Sequence, residues 1–255
     1  MGNDHDNTAR AFARYQDSAA GHLRYVLAQQ NLTKLHNLSR PTQILDAAGG
    51  NGLNTEWLLK LGKFVTLLDL DSAMLLQCQK RLKSSNLLAR CKCVRGNIEE
   101  ADRILPLNHF DLIVCHHILE YVGDPCQTLQ SLSKVAAPGG ELSLVTLNPV
   151  SEVIRAIVFH KDADLASAKL EDLAFYAKWF GNAKLYTFNQ IVEWCEQSGW
   201  ALQDYRAIRA LADYIPDTAY DEEMKRKVYQ LENALSGREP YRRIGRYLQF
   251  AFRKI

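Results

Sequence analysis

The run Leu45-Asp46-Ala47-Ala48-Gly49-Gly50-Asn51-Gly52 joins an apolar segment to an amphipathic segment at residues 53–61. A second apolar segment, residues 65–68, leads into Asp69, about 20 residues after Gly49, which is the spacing of an acid in a nucleotide-binding unit. Glycines let the backbone approach a ligand closely, and the start of a helix presents free N–H groups. We therefore expect a nucleotide site at this turn, with Asp69 placed to bind two ribose hydroxyls.

The composition is that of a globular protein. Of the 255 residues, 47% are hydrophobic and 24% are charged, which fits one large α/β domain. The net charge of +2 neither indicates nor excludes a nucleic-acid partner. No signal-peptide core and no run long enough to span a membrane are found. None of the six cysteines forms a Cys-x-x-Cys pair, so we expect free thiols, no metal and a cytoplasmic location.

Apolar periodicity predicts alternating helices and strands along the first 147 residues. We predict strands over 42–47, 64–69, 89–95, 110–116 and 140–147, and helices over 8–38, 52–61, 72–84 and 125–136. This alternation is typical of a doubly wound parallel sheet with helices on both faces. Ser72 is expected to cap its helix. The run Pro138-Gly139-Gly140 is expected to form a turn before the following strand.

The pattern changes after Asn148-Pro149. Residues 150–183 are predicted to be mostly helical, and they carry the aromatic residues Phe175, Tyr176, Trp179 and Phe180. Beyond them we predict helix 187–198, strand 201–209, a helical insertion at 217–237 and an antiparallel strand 245–254 at the edge region of the sheet. We therefore divide a single domain into N-terminal helices (1–39), a nucleotide-binding core (40–147), a helical cap (148–185) and a C-terminal part (186–255).

The glycine pattern distinguishes between classes of nucleotide. From Gly50 the chain lacks the third glycine of a dinucleotide fingerprint, and no Gly-Lys-Ser/Thr of a phosphate loop is found. Asp-x-Ala-x-Gly-x-Gly, from Asp46 to Gly52, resembles instead the pattern of class I methyltransferases that use S-adenosylmethionine (SAM), and the resemblance spans residues 40–147. It implies a Rossmann-like α/β fold, a seven-stranded, mostly parallel sheet with a helical cap, and SAM as cofactor.

The resemblance also implies roles for individual residues along successive strand ends. Asp46 and the turn glycines would cradle the methionine end of SAM, and Asp69 would bind the ribose. The implied cofactor-binding residues are Asp46, Gly49, Gly50, Gly52, Asp69, Asn97, Ile98 and His116. Of these, Asn97 and Ile98 would flank the adenine, and His116 would lie near the sulfonium. Capping of its own loop is the alternative role of Asn97.

Three further segments are similar to one narrower family, the bacterial tRNA 5-carboxymethoxyuridine methyltransferases. They are residues 111–125, the tail 238–247, and Gly21-His22-Leu23-Arg24. Arg24 matches an arginine that this family places against the cofactor carboxylate, and Arg14 matches another family arginine. The cap departs from the family because it lacks a run of lysines. Its aromatic residues would stack on bases, line a small-molecule pocket or fill core.

The acceptor determines which further residues the chemistry needs. A carboxylate is already ionised at neutral pH and needs only a positioning cation, for which the candidates are Arg14, Arg155, Arg238, Arg242, Arg243 and Arg246. An amine or hydroxyl would need a proton acceptor, for which the candidates are His117, Tyr121 and Tyr15. For His117 the alternative is an ordinary residue at a strand end, and for the pair Arg242-Arg243 it is a solvated turn.

Three functions remain open on the sequence. The first is a methyltransferase acting on the carboxylate of a modified tRNA wobble uridine, which the arginine and tail matches favour. The second is a small-molecule N- or O-methyltransferase, which the missing lysines and the aromatic cap favour. The third is a SAM-binding protein without catalysis, which the intact cofactor positions disfavour. The partner is thus a methyl acceptor, either tRNA or a small molecule, with no membrane involved.

Overall fold

The computed structural model describes residues 19–39, 42–177, 181–215 and 221–255. Its strands are β1 (Gln43–Ala47), β2 (Phe64–Asp69), β3 (Cys91–Arg95), β4 (Phe110–His116), β5 (Ala136–Leu147), β6 (Ala174–Ala177), β7 (Gly181–Lys184), β8 (Trp200–Ile208) and β9 (Tyr247–Lys254). Its helices are α1 (Ala19–Leu35), α2 (Leu53–Lys60), α3 (Ser72–Ser84), α4 (Ala101–Ile104), α5 (Pro125–Val135), α6 (Pro149–Arg155), α7 (Ala163–Glu171), α8 (Phe188–Gln197) and α9 (Glu222–Leu235). The predicted helical residues 8–18 lie outside the described ranges.

A seven-stranded sheet in the order β3-β2-β1-β4-β5-β9-β8 forms the centre of the fold. Strands β1 to β5 run parallel to their neighbours, and β9 is antiparallel to both β5 and β8. The predicted α/β class and mostly parallel seven-stranded sheet are therefore confirmed. Because parallel strands share one direction, the carboxyl ends of β1 to β4 meet at one edge of the sheet, where ligands bind in such folds.

The position of the C-terminal strand corrects a prediction. Strand β9 was expected at the edge region of the sheet, but it lies between β5 and β8, and β8 is the edge strand. Strands β5 and β8 pair with the backbone of β9 on either side. Residues 247–252 of β9 are all buried, so the side chains are covered on both faces of the sheet. A strand that is buried on both faces reads as a continuous apolar run, which does not by itself reveal its place in the sheet.

Two local predictions are also wrong. Asp71, rather than Ser72, caps α3, since its carboxylate accepts hydrogen bonds from the N–H groups of Ala73 and Met74. The predicted turn at residues 138–140 lies inside β5, where the register with β4 shifts. The glycines there make an irregular strand segment, because a bulge accommodates an extra residue without ending the pairing.

The cap differs from its predicted, mostly helical form. After α6, a single π-helical turn at Ala156–His160 and α7, the chain forms the antiparallel hairpin β6–β7. The aromatic and small residues of this segment suit a pleated strand better than a helix. Phe175 of the hairpin lies against a core cluster that contains Leu147, whereas Trp179 and Phe180 lie outside the described residues. Across the described ranges, no helix is both long enough and apolar enough to cross a bilayer.

Candidate active site

A cavity of about 950 Å³ lies at the carboxyl ends of β1 to β4 and extends to the ends of β5 and β9. Its volume is in the upper range for cofactor sites. The structure brings most of the predicted site residues into its lining, namely Arg24, Asp46, Gly49, Gly50, Asp69, Asn97, Ile98, His116, His117 and Tyr121. Gly52 does not line the cavity, and Arg14 and Tyr15 lie outside the described residues.

The glycine turn is held by contacts that exclude larger side chains. A Cβ atom at Gly49 would lie 2.7 Å from Cγ of Asp46, so Asp46 packs directly against the turn. Gly52 has a φ of 79° and is packed against the thiol of Cys78, so it has a structural role beneath the turn. Its N–H closes the turn by donating to the carbonyl of Gly49 at 3.1 Å. The turn is therefore shaped by what lies under it as well as by the glycines themselves.

Asp69 fixes the turn from the neighbouring strand. Its Oδ2 accepts a hydrogen bond from the N–H of Gly50 at 2.8 Å, and its Oδ1 accepts one from the N–H of Asp71 at 2.9 Å. Burial raises the pKa of Asp69, and these two backbone donors oppose that rise. Since a carboxylate oxygen can accept two hydrogen bonds, each oxygen retains capacity for a ribose hydroxyl in the cavity.

Asp46 is a buried carboxylate in β1, packed against the glycine turn. It is 2% exposed, and its Oδ2 accepts a hydrogen bond from Oγ1 of Thr55 at 2.6 Å. Burial raises the pKa of Asp46 to about 6, although the Thr55 hydrogen bond opposes the shift. The side chain remains an acceptor near neutral pH, with its ionised form stabilised by a single side-chain partner.

Asn97 caps its own loop, which is the role predicted as the alternative to adenine contact. It also lines the cavity. Its Oδ1 accepts a hydrogen bond from the N–H of Glu99 at 3.1 Å and begins the 3-10 turn Ile98–Glu100. Glu99 in turn accepts a hydrogen bond from the N–H of Asp124 at 2.8 Å. The loops after β3 and β4 are thus tied together beside the predicted adenine position.

His116 belongs to a buried polar network at the end of β4. Its Nε2 lies 2.9 Å from Oγ of Ser143, and its Nδ1 lies 3.5 Å from the amide nitrogen of Asn54. Oγ of Ser143 also accepts a hydrogen bond from the amide of Gln249 at 3.1 Å. Burial, assisted by the positive charge of nearby Arg24, lowers the pKa of His116 to about 3, so the ring is neutral at physiological pH.

His117 adopts a conformation that non-glycine residues seldom adopt. Its φ is 60°, its N–H donates to the carbonyl of Val145 at 2.8 Å, and its ring contacts the edge of Tyr247 with a centroid distance of 4.7 Å. Burial lowers the pKa of His117 well below its usual value, and Arg24 lowers it further. The ring is therefore a neutral, half-buried group at the cavity wall, and strained residues of this kind concentrate at functional sites.

Glu120 is a site residue that the motif search missed. It is 6% exposed and lines the cavity, and its Oε1 accepts a hydrogen bond from the N–H of Leu147. Its Oε2 has no hydrogen-bond partner among the described residues. Burial raises the pKa of Glu120 to about 7. The sequence did carry a sign of this role, because Glu120 is an acid within the apolar run 118–122. A carboxyl group in such a run is buried with its neighbours and needs a hydrogen-bond partner there.

Tyr247 and its arginines form the far end of the cavity. The guanidinium carbons of Arg24 and Arg246 lie 5.8 and 5.9 Å from the centre of the Tyr247 ring. Burial alone would raise the pKa of Tyr247, but Arg24, Arg209 and Arg246 together lower it to about 8. Tyr121, by contrast, has its pKa raised above the usual range by burial. Tyr247 was not among the predicted catalytic residues, because only the fold places the arginines around it.

The candidate cations divide into two groups. Arg246 lines the cavity and pairs with Glu152, while Arg155 pairs with Asp213 at 3.0 Å behind it. Arg242 and Arg243 lie elsewhere, at a smaller cavity of about 410 Å³, where each pairs with Glu239 at 2.8 and 2.9 Å respectively. Arg238 lines neither cavity. Within the described ranges, no cluster of His, Cys, Asp and Glu side chains is arranged to hold a metal ion.

Comparisons with known proteins agree with this geometry. Residues 45–144 match the family model described as a methyltransferase domain. The chain is 26% identical over 257 residues to the tRNA 5-carboxymethoxyuridine methyltransferase of Escherichia coli (strain K12), covering 98% of this chain and 95% of that protein. It is 29% identical to a ubiquinone biosynthesis O-methyltransferase of Coxiella burnetii (strain Dugway 5J108-111), over 49% of each chain.

Solved structures give the same fold. A SAM-dependent methyltransferase from Mesorhizobium loti superposes with a TM-score of 0.62 at 17% identity, covering 89% of this chain and 98% of that one. A SAM-dependent methyltransferase from Methanosarcina mazei superposes with a TM-score of 0.61 at 17% identity, covering 88% of this chain and 97% of that one. Residues 45–144 therefore match a methyltransferase domain, and the chain shares the Rossmann-like fold of SAM-dependent methyltransferases, as its glycine pattern indicates.

Proposed function

We propose that this protein transfers a methyl group from SAM to a carboxylate carried by a modified uridine of tRNA. The observation that carries the proposal is a single cavity with two chemically different ends. Asp69 and the glycine turn lie at one end, and Arg246 lies at the other beside Tyr247. The nearly full-length similarity to tRNA 5-carboxymethoxyuridine methyltransferases supports the same acceptor class.

The donor end has groups suited to each part of SAM. Asp69 would bind the ribose hydroxyls, Asn97 and Ile98 would flank the adenine, and Arg24 would pair with the methionine carboxylate. Asp46 and the backbone of Gly49 and Gly50 would hold the methionine chain, with neutral His116 beside the sulfonium. SAM supplies a methyl carbon bound to a positively charged sulfur, which makes that carbon open to in-line attack.

The acceptor end suits a negatively charged nucleophile. A carboxylate oxygen attacks the methyl carbon as the sulfur–carbon bond breaks, and no proton is transferred. The protein then needs to hold the carboxylate in line at a short distance, which is catalysis by proximity. Arg246 is the described cation best placed for this, because a guanidinium binds a carboxylate through two parallel hydrogen bonds. With this acceptor, His117 and Tyr121 orient the substrate and are not required as bases.

The proposal gives a role to each of the four parts into which the sequence divides the domain. Residues 40–147 would hold SAM, residues 148–185 would cover the acceptor, and residues 1–39 and 186–255 would complete the cavity wall through Arg24 and Arg246. Arg14 remains a candidate second cation for the acceptor. Cytoplasm, where tRNA is modified, is the location that fits this substrate.

A small-molecule N- or O-methyltransferase is the second candidate. Phe175 of the hairpin and Leu147 give the acceptor end an apolar wall, which suits a compact substrate as well as a nucleobase. The segment of the cap also lacks a lysine run for phosphate contacts. An amine or hydroxyl acceptor would then use neutral His117 as its proton acceptor, because the raised pKa of Tyr121 keeps its phenol protonated.

A transfer assay with methyl-labelled SAM tests the proposal. Undermodified tRNA and an extract of small metabolites are offered in parallel, and labelled tRNA is then treated with mild alkali. We expect label in tRNA that alkali releases as methanol, because a methyl ester is hydrolysed whereas an N-methyl group is not. Binding to tRNA should also weaken as salt rises. Label confined to small molecules, or alkali-stable label in tRNA, contradicts the carboxylate proposal.

A further inference from the structure

Three thiols meet behind the donor end of the cavity. Cys78 lies on α3 and is fully buried, while Cys91 and Cys93 lie half-buried on the edge strand β3. The sulfurs of Cys91 and Cys93 are 3.9 Å apart, and both residues pack against the core cluster that contains Cys78. Two of these three thiols are only half-buried, so the cluster is open to a small oxidant.

The cluster lies directly under the glycine turn. A side chain at Gly52 would collide with Sγ of Cys78, so the sulfur itself fills the space beneath the turn. Gly52 is also the residue at which α2 begins. On the other side, β3 leads into Gly96 and Asn97, which line the cavity. A movement of either sulfur is therefore transmitted to two walls of the donor end.

We propose that Cys78 and Cys93 form a reversible disulfide with peroxide as oxidant, and that this modification weakens SAM binding. The disulfide itself stands on the thiol geometry, whereas the effect on SAM rests on the proposed function. No part of the methyl transfer uses these thiols, so the site is separate from the acceptor chemistry.

The balance of the reaction assigns a role to each thiol. The Cys93 thiolate attacks one peroxide oxygen, the O–O bond breaks, and hydroxide leaves to give a sulfenic acid. Cys78 then attacks the sulfur of Cys93, the S–O bond breaks, and water leaves with the proton of Cys78. Two thiols are oxidised by two electrons in total, and hydrogen peroxide is reduced to two molecules of water.

Position and polarity favour Cys93 as the attacking thiol. It is half-buried on an edge strand, so a small oxidant can reach it, whereas Cys78 is enclosed. Hydrogen bonds from Cys78 and Cys91 lower the pKa of Cys93, and a bond from Gln79 acts in the same direction. The thiolate is the reactive form, so this environment directs oxidation to Cys93.

Strand geometry favours Cys78 over Cys91 as its partner. Cys91 and Cys93 are two residues apart on one strand, which places their Cα atoms about 6.6 Å apart with parallel side chains. That separation is at the upper limit for a disulfide, about 6.8 Å. Cys78 lies on α3, which contacts β3, so a bond to Cys93 would join two elements and would not have to bridge two neighbours on one strand. The new bond would draw the Cys78 sulfur toward β3 and away from Gly52.

The first measurement is peptide mapping of the full chain after treatment with hydrogen peroxide. We expect a cross-link between the peptides of Cys78 and Cys93, reversed by dithiothreitol and absent in Cys93→Ser. Cys126→Ser is the matched control, because Cys126 is a half-buried thiol on α5, outside the cluster, and it should retain the cross-link. A Cys91–Cys93 linkage, or no linkage, overturns the proposal.

The second measurement is SAM affinity by calorimetry on reduced, oxidised and re-reduced protein. We expect oxidation to weaken binding about tenfold, which corresponds to about 1.4 kcal/mol, with recovery on reduction and no effect of peroxide on Cys93→Ser. If the cross-link is mapped but the affinity for SAM is unchanged, the claim that the disulfide weakens SAM binding is wrong. Reduced protein that does not bind SAM contradicts the proposed function instead, and the mapping still decides whether the disulfide forms.

Discussion

The donor end and the acceptor end of the cavity are built in different ways. At the donor end, backbone turns and short acids follow successive strand ends, and Asp69 and Gly50 are joined by a hydrogen bond across neighbouring strands. At the acceptor end, side chains from distant parts of the chain, such as Glu120, Arg246 and Tyr247, converge. In the proposed function, the first arrangement would bind one invariant cofactor, while the second would allow a change of acceptor through the exchange of a few side chains.

The same contrast appears in the electrostatics. The donor end presents carboxylates that already accept backbone or hydroxyl hydrogen bonds, as Asp69 and Asp46 do. The acceptor end combines the guanidinium of Arg246 with a buried carboxyl, Glu120, that has only one of its oxygens paired among the described residues. Substitutions at the two ends should therefore change different quantities, in decreasing order of size as follows.

Gly52→Ala should have the largest effect, because it disturbs the donor end from beneath. The left-handed backbone costs about 1–2 kcal/mol for a residue with a Cβ, and displacing the sulfur of Cys78 adds about 1–3 kcal/mol of overpacking. Urea unfolding should show a loss of about 2–5 kcal/mol. Gly50→Ala is the control, since nothing lies within 4 Å of its would-be Cβ, and it should lose only the backbone part. Equal losses would show that Cys78 does not fix the turn.

Glu120→Gln should alter the pH dependence of stability at the acceptor end. The folded pKa of about 7 lies above the unfolded value of 4.5, so the native state binds the extra proton. The stability from this group is full below pH 4.5 and is lost as pH rises through 7. Wild type should therefore lose about 2–3 kcal/mol between pH 5 and pH 8 through Glu120.

Chemical denaturation at both pH values checks this expectation. Relative to wild type, Glu120→Gln should gain stability at pH 8 and show a flatter profile, because glutamine has no proton to lose. Glu196→Gln, which changes an exposed acid on α8, should leave the profile parallel to that of wild type. If the profile of Glu120→Gln also runs parallel to wild type, Glu120 is not the buried acid that the structure indicates.

Asp69→Ala should weaken SAM binding by about 1–3 kcal/mol, the cost of leaving ribose hydroxyls unpaired. Loss of the acceptor for the Gly50 N–H contributes to the same result. Calorimetry measures the affinity directly, and Asp69→Asn should fall between alanine and wild type because one oxygen remains. Unchanged affinity in the alanine variant would remove Asp69 from the donor end.

Arg246→Lys should have the smallest effect and should be confined to the acceptor. It keeps the charge opposite Glu152 but loses the two parallel donors of a guanidinium. We expect kcat/KM for the acceptor to fall about tenfold, or about 1.4 kcal/mol, with SAM affinity unchanged. A fall in SAM affinity of the same size would assign Arg246 to the donor end and weaken the distinction between the two ends.

Local sequence was enough for the donor end because its geometry is local. A glycine turn between a strand and a helix must present its N–H groups at the strand end, and Asp69 must end the neighbouring parallel strand. Gly52 shows the limit of this reasoning, because the motif predicts the same cofactor-binding role for Gly52 as for Gly50. Only packing against Cys78, from a helix farther along the chain, turns it away from the cavity and into a structural role.

By itself, the sequence predicted the α/β class and the positions of the first five strands along the chain, because both depend on apolar periodicity and on turn chemistry over short distances. The resemblance of its glycine pattern to class I methyltransferases implied SAM as the cofactor. The tertiary structure alone placed β9 inside the sheet, grouped the arginines around Tyr247, left Glu120 half-paired in the cavity and joined three thiols beneath the turn. Such features arise because sheet order and packing bring distant residues together, and no local pattern encodes which side chains will meet.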